Sequence, residues 1–302
     1  MVPDQKFIAW LSAIRLRTLP LALSSILMGS FMAADDKKFD VWVFILAALT
    51  TIFLQILSNL ANDYGDSIHG ADHVDRKGPK RAIQMGWIKP SEMRIGLIIT
   101  TLLAFLSGIV LLIYAFPIFS GMIIVFLFLG IASIFAAMAY TLGKKPYGYA
   151  GLGDLFVLIF FGIVGVMGTY FLHTKNLQWL TLLPALSSGF LATAVLNVNN
   201  IRDIESDKRA RKMSIPVRIG RNNAIYYQAF LLSGNFLTAT FYMILNDKHI
   251  TQFFFLLTIP LFLLNINDLK KKTQPQQLDP SLKKLSLSIL LFTVLYGIGL
   301  IV

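Results

Sequence analysis

The sequence predicts an all-α, multispanning membrane protein with nine transmembrane helices and a weak four-helix tandem repeat. Its 302 residues are 56% hydrophobic and only 14% charged, whereas a soluble domain carries about 25% charged residues. The mean hydropathy of +0.67 agrees with this class. The apolar residues are also gathered into stretches that approach the length needed to cross a bilayer, and the basic residues lie between those stretches in an alternating pattern.

Each predicted span rests on length, because a transmembrane helix needs about 20 mostly apolar residues. The nine stretches cover roughly 17–34, 41–62, 95–115, 118–141, 152–172, 179–200, 223–245, 250–267 and 284–302. The first could pass for a signal peptide, but we expect a span, because removing it would take one member from a consistent set. We predict one transmembrane domain over residues 1–302, with helices 1–4 at about 17–141 and helices 5–9 at about 152–302.

The distribution of Lys and Arg predicts the orientation. Nearly all of the 27 basic residues lie before the first span or in the loops after spans 2, 4, 6 and 8, on one side of the membrane. The positive-inside rule makes that side cytoplasmic, so we expect a cytoplasmic (inner) membrane protein with its N-terminus inside and its C-terminus outside. The same rule accounts for the net charge of +11 without a nucleic-acid partner. With no cysteine, disulfides and thiolate metal sites are excluded.

Two acidic clusters follow apolar helices four spans apart. Residues 59–81 read NLANDYGDSIHGADHVDRKGPKR, and residues 197–211 read NVNNIRDIESDKRAR. Asp63 and Asp66 are spaced i, i+3, and Asp203 and Asp207 are spaced i, i+4, so each pair lies on one helix face. Paired carboxylates near a helix C-terminus are unfavourable unless a cation binds between them. The alternative without a bound cation is a solvated loop in which the acidic residues are neutralised by the Lys and Arg of the same loop.

The ligand chemistry of the two clusters favours Mg²⁺. Carboxylate and amide oxygens are hard ligands, and Mg²⁺ is usually held by a few of them together with waters and substrate phosphates. Asn59, Asn62 and Asn199 precede the acids and can supply amide oxygens, or they can simply cap and cross-link helices. The histidines show no supported ligand spacing, so we do not expect zinc. The sequence therefore predicts a Mg²⁺–diphosphate site in an intramembrane enzyme.

Nearby basic and aromatic residues are candidates for binding substrates. Six basic residues can bind a diphosphate, although positive-inside topology also explains most of them. They are Lys77, Lys80, Arg81, Arg202, Arg211 and Lys212. A third stretch, residues 140–154, reads YTLGKKPYGYAGLGD. Its Asp154 opens the predicted fifth helix, where it either caps the helix or orients the hydroxyl of an aromatic substrate.

Four motifs in order resemble the UbiA superfamily of intramembrane aromatic prenyltransferases, and most closely its menaquinone branch. They are RLRTLP at Arg15–Pro20, NLANDYGD with GPKRAIQ within Asn59–Gln84, the Tyr140–Asp154 stretch, and NNIRDIESD with PVRIG within Asn199–Gly220. The resemblance implies nine helices around a central cavity and two Mg²⁺ ions that bridge the aspartates and a polyprenyl diphosphate. It implies transfer of the prenyl group to 1,4-dihydroxy-2-naphthoate, with loss of CO₂ and diphosphate.

The resemblance also assigns roles to residues. Catalytic roles fall to Asp63, Asp66, Asp203 and Asp207, with Asn62 and Asp72 as further metal ligands. Diphosphate binding falls to Asn59, Asn62, Lys77, Arg81, Asn199, Arg202 and Lys212. The aromatic acceptor would contact Tyr140, Lys145, Tyr149 and Asp154. Two positions depart from the family pattern: Gly70 stands where a further acid is common, with Asp72 two residues beyond, and Ser214 ends a stretch that usually reads GK(R/T)T.

Two alternatives remain at this stage. A secondary transporter would share the spans, the repeat and the polar clusters, but it would place charges near the bilayer midplane and break helices there. Nearly all acids here lie at one end of the predicted spans, which favours an enzyme acting on a lipid diphosphate. A sister prenyltransferase with another acceptor is the nearer alternative.

Overall fold

The computed structural model describes residues 3–69, 81–117 and 120–302, with side chains from residue 6 onward, and this part of the chain forms helices without strands. The helices are α1 (Pro3–Ile14), α2 (Leu19–Asp35), α3 (Val41–Ile68), α4 (Pro90–Ala115), α5 (Gly121–Ala139), α6 (Gly153–Thr174), α7 (Leu182–Arg202), α8 (Ile204–Arg209), α9 (Ile215–Leu245), α10 (Ile259–Lys271) and α11 (Leu278–Ile301).

Local sequence signals explain where the principal helices begin. The Asp40 carboxylate caps α3 by accepting the backbone N–H groups of Trp42 and Val43 at 2.8 and 3.1 Å, the usual role of an N-cap residue. Ser120 caps α5 in the same way. Proline stands in the first turn of α2, α4, α9 and α10, where its missing N–H leaves no hydrogen bond unmade.

Eight helices in the described residues are long and apolar enough to cross a membrane. They coincide with eight of the nine predicted spans and confirm an all-α integral membrane protein. The predicted span at 250–267 is instead made of 3₁₀ turns, Ile250–Gln252 and Phe254–Thr258, followed by the 13-residue α10. The count of nine spans and the tandem repeat therefore stay predictions. The amphipathic α1 was not predicted, because at 12 residues it is too short to span.

The apolar side chains fall into two groups, one buried between the helices and one exposed on the outside. The largest buried cluster joins α2, α6, α7, α9 and α11 through residues such as Met28, Tyr170, Val198, Leu231 and Phe292. A second cluster holds α1 against α3 and α4. In contrast, α5 presents Ile124 and Phe128 outward, each 71% exposed. Exposed apolar side chains of this extent belong in contact with lipid rather than water.

A central cavity of about 330 Å³ lies among α2 to α7. Its walls are mostly aliphatic and aromatic, and one end is formed by Arg15, Asn62, Tyr140 and Asn199. The middle of α6, Leu158–Met167, is a π-helix, a rare conformation that is frequent at functional sites. Phe160, Phe161, Val164 and Gly165 from this segment line the cavity. The central cavity implied by the family resemblance is thus present.

The polar end of α3 packs tightly against the end of α5. A Cβ added at Gly65 would lie 2.6 Å from the Thr141 Cβ and 2.7 Å from the Thr141 carbonyl oxygen. The Thr141 hydroxyl also donates to the carbonyl of Ala61 at 2.9 Å. This close approach fixes the helical turn that carries the first acidic cluster.

We expect Gly65→Ala to destabilise the protein by about 1–3 kcal/mol, because overpacking a tight contact forces backbone to shift. Gly130→Ala on α5 is the matched control, since nothing lies within 4 Å of its added Cβ and alanine favours helix by about 1 kcal/mol. Thermal unfolding in detergent measures both variants. Equal or raised stability of Gly65→Ala relative to wild type would contradict the contact.

Candidate active site

The first acidic cluster lies on the last turns of α3, where Asp63 and Asp66 are each only 2% exposed. The helix continues past the predicted end at residue 62 to Ile68, so both carboxylates project from regular helix. Arg15 contacts Asp63 with 2.5 Å between Nη2 and Oδ1. Buried carboxylates require such partners, because an unpaired charge is costly away from water.

Arg81 bridges the two carboxylates of this cluster. Its Nη1 lies 2.6 Å from Asp66 Oδ2, and its Nε lies 3.7 Å from Asp63 Oδ1. The same Nη1 donates to the backbone carbonyl of Asn62 at 2.7 Å. The hydroxyl of Tyr149 donates to the other oxygen of Asp66 at 2.9 Å. Two cations and a phenol therefore converge on two carboxylates.

The second cluster meets the first through Lys212. Its Nζ lies 3.7 Å from Asp207 Oδ1, and it lies 5.5 and 5.7 Å from the ring centres of Tyr140 and Tyr149. Because Tyr149 also donates to Asp66, Tyr149 and Lys212 link Asp66 of the first cluster to Asp207 of the second. Ser214 donates to Asp207 Oδ2 at 3.3 Å, which gives a role to a residue at a departure from the family motif.

The charges at this junction are fixed by the surrounding groups. Burial alone would lower the pKa of Lys212, but the carboxylates of Asp207 and Asp66 raise it above its ordinary value. Burial, followed by the Asp66 carboxylate, raises the pKa of Tyr149, and burial raises the pKa of Tyr140 to about 12. Lys212 therefore stays a cation and both phenols stay neutral at physiological pH.

Asp203 is held by its own neighbour in sequence. Arg202 makes a bidentate pair with it, at 2.9 Å from Nε to Oδ1 and 2.8 Å from Nη2 to Oδ2. The remaining nitrogen of Arg202 lies 2.8 Å from Asp279 on α11, and Arg17 lies 3.8 Å from the same carboxylate. This network joins the ends of α7 and α11 to the start of α2.

The predicted asparagines have different surroundings. Asn59 donates to the carbonyl of Ile14 at 2.8 Å and to the Thr18 hydroxyl at 3.0 Å, so its amide nitrogen holds the turn that carries Arg15. Asn62 has a buried Oδ1 without a hydrogen-bond partner among the described residues, and it lines the cavity. Asn199 also lines the cavity, with its amide nitrogen bonded to the Val195 carbonyl.

Three of the four predicted acceptor residues, Tyr140, Tyr149 and Asp154, lie near one another, and Lys145 does not. Tyr140 lines the cavity, and Tyr149 lies beside it at Asp66. Lys145 is exposed on the loop after α5, and the buried Asp154 accepts a hydrogen bond from Tyr227 on α9 at 3.1 Å. Two further predicted site residues, Lys77 and Asp72, lie outside the described residues.

Arg15 was missed as a site residue at the sequence level, although the RLRTLP motif that contains it was recognised. Positive-inside topology accounts for any Arg before a first span, and nothing local distinguished this one. Arg15 has a left-handed backbone with φ 54°, in the turn between α1 and α2. That conformation is uncommon for residues other than Gly, Asn and Asp. The turn aims the guanidinium at Asp63 and into the cavity.

The donor chemistry of the site fits Mg²⁺. Every candidate ligand is a hard oxygen from Asp or Asn, and the orphaned Asn62 Oδ1 is an acceptor suited to a metal or to its water. In residues 3–69, 81–117 and 120–302, no three His, Asp or Glu side chains gather at one point. Protein ligands alone therefore form no cage, which suits an ion that takes much of its coordination from waters and substrate phosphates.

The sequence and the fold resemble those of known proteins. The family model described as the UbiA prenyltransferase family matches residues 22–294. The chain is 42% identical to the 1,4-dihydroxy-2-naphthoate octaprenyltransferase of Haemophilus influenzae, over 99% of this chain and 97% of that protein. Two solved archaeal structures share the fold. They are a UbiA homologue from Aeropyrum pernix (TM-score 0.67, 17% identity, 95% and 98% of the two chains) and one from Archaeoglobus fulgidus bound to DMAPP and Mg²⁺ (TM-score 0.62, 15% identity, 97% and 99%).

Proposed function

Because the chain belongs to the UbiA prenyltransferase family, we propose that it transfers a polyprenyl group from polyprenyl diphosphate to 1,4-dihydroxy-2-naphthoate. The products are CO₂, diphosphate and demethylmenaquinol, so the enzyme acts in menaquinone biosynthesis. The observation that carries this proposal is the 42% identity, over nearly the whole of both chains, to an octaprenyltransferase named for that acceptor. The joined acidic clusters at the end of an apolar cavity supply the matching site.

The acidic residues and Asn62 would hold the metal. Asp63, Asp66, Asp203 and Asp207 are the proposed protein ligands of two Mg²⁺ ions, with Asp72 as a further candidate. Bound Mg²⁺ neutralises the diphosphate and so makes it a better leaving group. Asn62 and Arg15, the ion-pair partner of Asp63, line the cavity, which supports a metal next to its polar end and leaves the apolar remainder for the prenyl chain.

The basic residues bind the diphosphate in this scheme. Arg15 and Arg81 pair with carboxylates of the first cluster, and Lys212 pairs with Asp207 of the second. Each of these cations could also bind an incoming diphosphate. Asn59, Lys77, Asn199 and Arg202 are further candidates from the motif match. A preorganised cluster of cations stabilises the negative charge that grows on the leaving diphosphate.

Two bonds break in the reaction, the allylic C–O bond of the donor and the bond from the ring to the carboxylate, and one C–C bond forms. The bond between the allylic carbon and the diphosphate oxygen breaks, and its electron pair leaves with diphosphate. A ring carbon of the naphthoate supplies the pair for the new C–C bond, and the bond to the carboxylate breaks to release CO₂. Water would intercept an allylic cation, so an apolar cavity that excludes water protects the step.

The polar and basic end of the molecule would face the cytoplasm, with the chain in the cytoplasmic membrane and its N-terminus inside. The support is the excess of Lys and Arg in the predicted inner loops. A soluble diphosphate head and a soluble aromatic acid would then enter from the compartment that makes them, while the prenyl tail stays in the bilayer.

A competition assay tests the acceptor. With 1,4-dihydroxy-2-naphthoate and 4-hydroxybenzoate at equal concentration, we expect mass spectrometry to find mainly the prenylated naphthalene product. Two hydroxyls on a fused ring supply more electron density to an allylic cation than one hydroxyl on benzene. Preferential prenylation of 4-hydroxybenzoate would overturn the acceptor while leaving the metal site standing. Of the four predicted acceptor residues, burial favours Tyr140, Tyr149 and Asp154 over the exposed Lys145.

A further inference from the structure

Gln55 is a polar side chain on α3 that faces the apolar cavity below the acidic cluster. Its Oε1 is buried and has no hydrogen-bond partner among the described residues. A buried amide oxygen without a partner is energetically unfavourable, because it has lost its hydrogen bonds to water. Such an atom at the wall of a cavity indicates a ligand that supplies the missing donor.

The orientation of the Gln55 amide follows from its neighbours. Asn59 must present its NH₂ to the Ile14 carbonyl, because a carbonyl oxygen can only accept. Asn59 therefore turns its Oδ1 towards Gln55, and the Gln55 Nε2 donates to it at 3.2 Å. The Gln55 oxygen is thus the atom left without a partner, on a side chain that lines the cavity, and it can accept a hydrogen bond but not donate one.

We expect the Gln55 oxygen to lie at the same depth in the cavity as the allylic carbon of the diphosphate donor. Gln55 reaches towards Asn59, which precedes Asp63 by one helical turn, or about 5–6 Å along the axis. A diphosphate bound at the carboxylates places its allylic carbon only a few bond lengths further into the cavity. The ring that attacks this carbon must lie beside it, because reacting atoms approach to about 3–3.5 Å.

We propose that Gln55 Oε1 accepts a hydrogen bond from a ring hydroxyl of the aromatic acceptor and so positions the ring for attack. The proposal rests on the proposed function and adds a specificity-determining residue to it. An acceptor-only oxygen favours O–H groups and disfavours an ether or a carboxylate at that point. It also leaves the electron pair of the hydroxyl oxygen free to enrich the ring.

The test compares Gln55→Leu with Thr100→Val on α4. The Thr100 hydroxyl donates to its own helix at the Gly96 carbonyl, and Thr100 is not among the residues that line the cavity, so the change should leave kinetics unaltered. For Gln55→Leu we expect the KM for 1,4-dihydroxy-2-naphthoate to rise about tenfold, the worth of one hydrogen bond of this kind. The KM for polyprenyl diphosphate should stay within about twofold.

Analogues that lack one hydroxyl identify the bond. Wild type should discriminate against either 1-hydroxy-2-naphthoate or 4-hydroxy-2-naphthoate, and Gln55→Leu should lose that discrimination. A structural role, acting through Asn59 on the Arg15 turn, would instead raise the KM for the diphosphate donor. That result, or unchanged acceptor kinetics, would overturn the proposal. If the proposed function is wrong, wild type will form no prenylated naphthalene product, which shows before any variant is tested. The comparison of acceptors with and without a hydroxyl would then use the aromatic acceptor that wild type does prenylate.

Discussion

Asp63→Asn is expected to lower kcat by about a hundredfold or more, because it removes a carboxylate proposed to hold the metal at the leaving diphosphate. Loss of one preorganised group that stabilises developing charge typically costs about 10²–10³ in rate. The carboxylate lies 2.5 Å from Arg15 and 3.7 Å from Arg81, at the point where the proposed metal and diphosphate meet. Asparagine keeps the shape of the side chain but loses the charge. Product formation from polyprenyl diphosphate and naphthoate, measured at saturating Mg²⁺, gives the comparison.

Glu92→Gln is a suitable control for charge removal. Glu92 pairs with Lys6 at 2.6 Å, with side chains 29% and 46% exposed, and exposed pairs contribute only about 0–1 kcal/mol. Activity should be unaffected there. Asp207→Asn should repeat the loss seen with Asp63→Asn, since it lies in the other half of the joined site. Near-normal turnover in either aspartate variant, with thermal unfolding unchanged, would remove that residue from the catalytic site.

Hydropathy predicted most of the fold because bilayer thickness sets the length of a spanning helix. It failed where polar residues continue a helix. The predicted second span stops at residue 62, but α3 runs to Ile68, since buried acids paired with Arg15 and Arg81 can stay on a helix. At 250–267, apolar composition alone does not separate the 3₁₀ turns that begin this stretch from a continuous helix.

The candidate site was predictable where spacing carried information. Asp63 with Asp66, and Asp203 with Asp207, stand out as paired acids after apolar runs, and the structure joins the two clusters through Tyr149 and Lys212. Arg15 and Gln55 carried no such spacing. A lone Arg before a span is explained by topology, and a lone Gln inside a span shows its significance only when its neighbours and the cavity are known.

Removal of divalent metal is expected to abolish turnover, with Mg²⁺ restoring it. The reason lies in the charges of the proposed site, where Asp63, Asp66, Asp203 and Asp207 would face a substrate that is itself an anion. Arg15, Arg81 and Lys212 pair with Asp63, Asp66 and Asp207, but each of these side chains carries a single positive charge. A divalent metal ion would supply a double positive charge at the oxygen that leaves with diphosphate. Chelation with EDTA, followed by titration with Mg²⁺ and by product quantification, measures the dependence.

A binding readout separates loss of metal from loss of fold. A ligand that binds only the folded state raises its stability with concentration, so Mg²⁺ together with diphosphate should raise the Tm of wild type. The same addition should leave the Tm of Asp66→Asn nearly unchanged, because that carboxylate joins Arg81, Tyr149 and the proposed metal. Glu92→Gln should respond like wild type. Full activity after exhaustive chelation would contradict the joined acidic clusters as a metal site, and an equal rise in Tm for Asp66→Asn would exclude Asp66 from it.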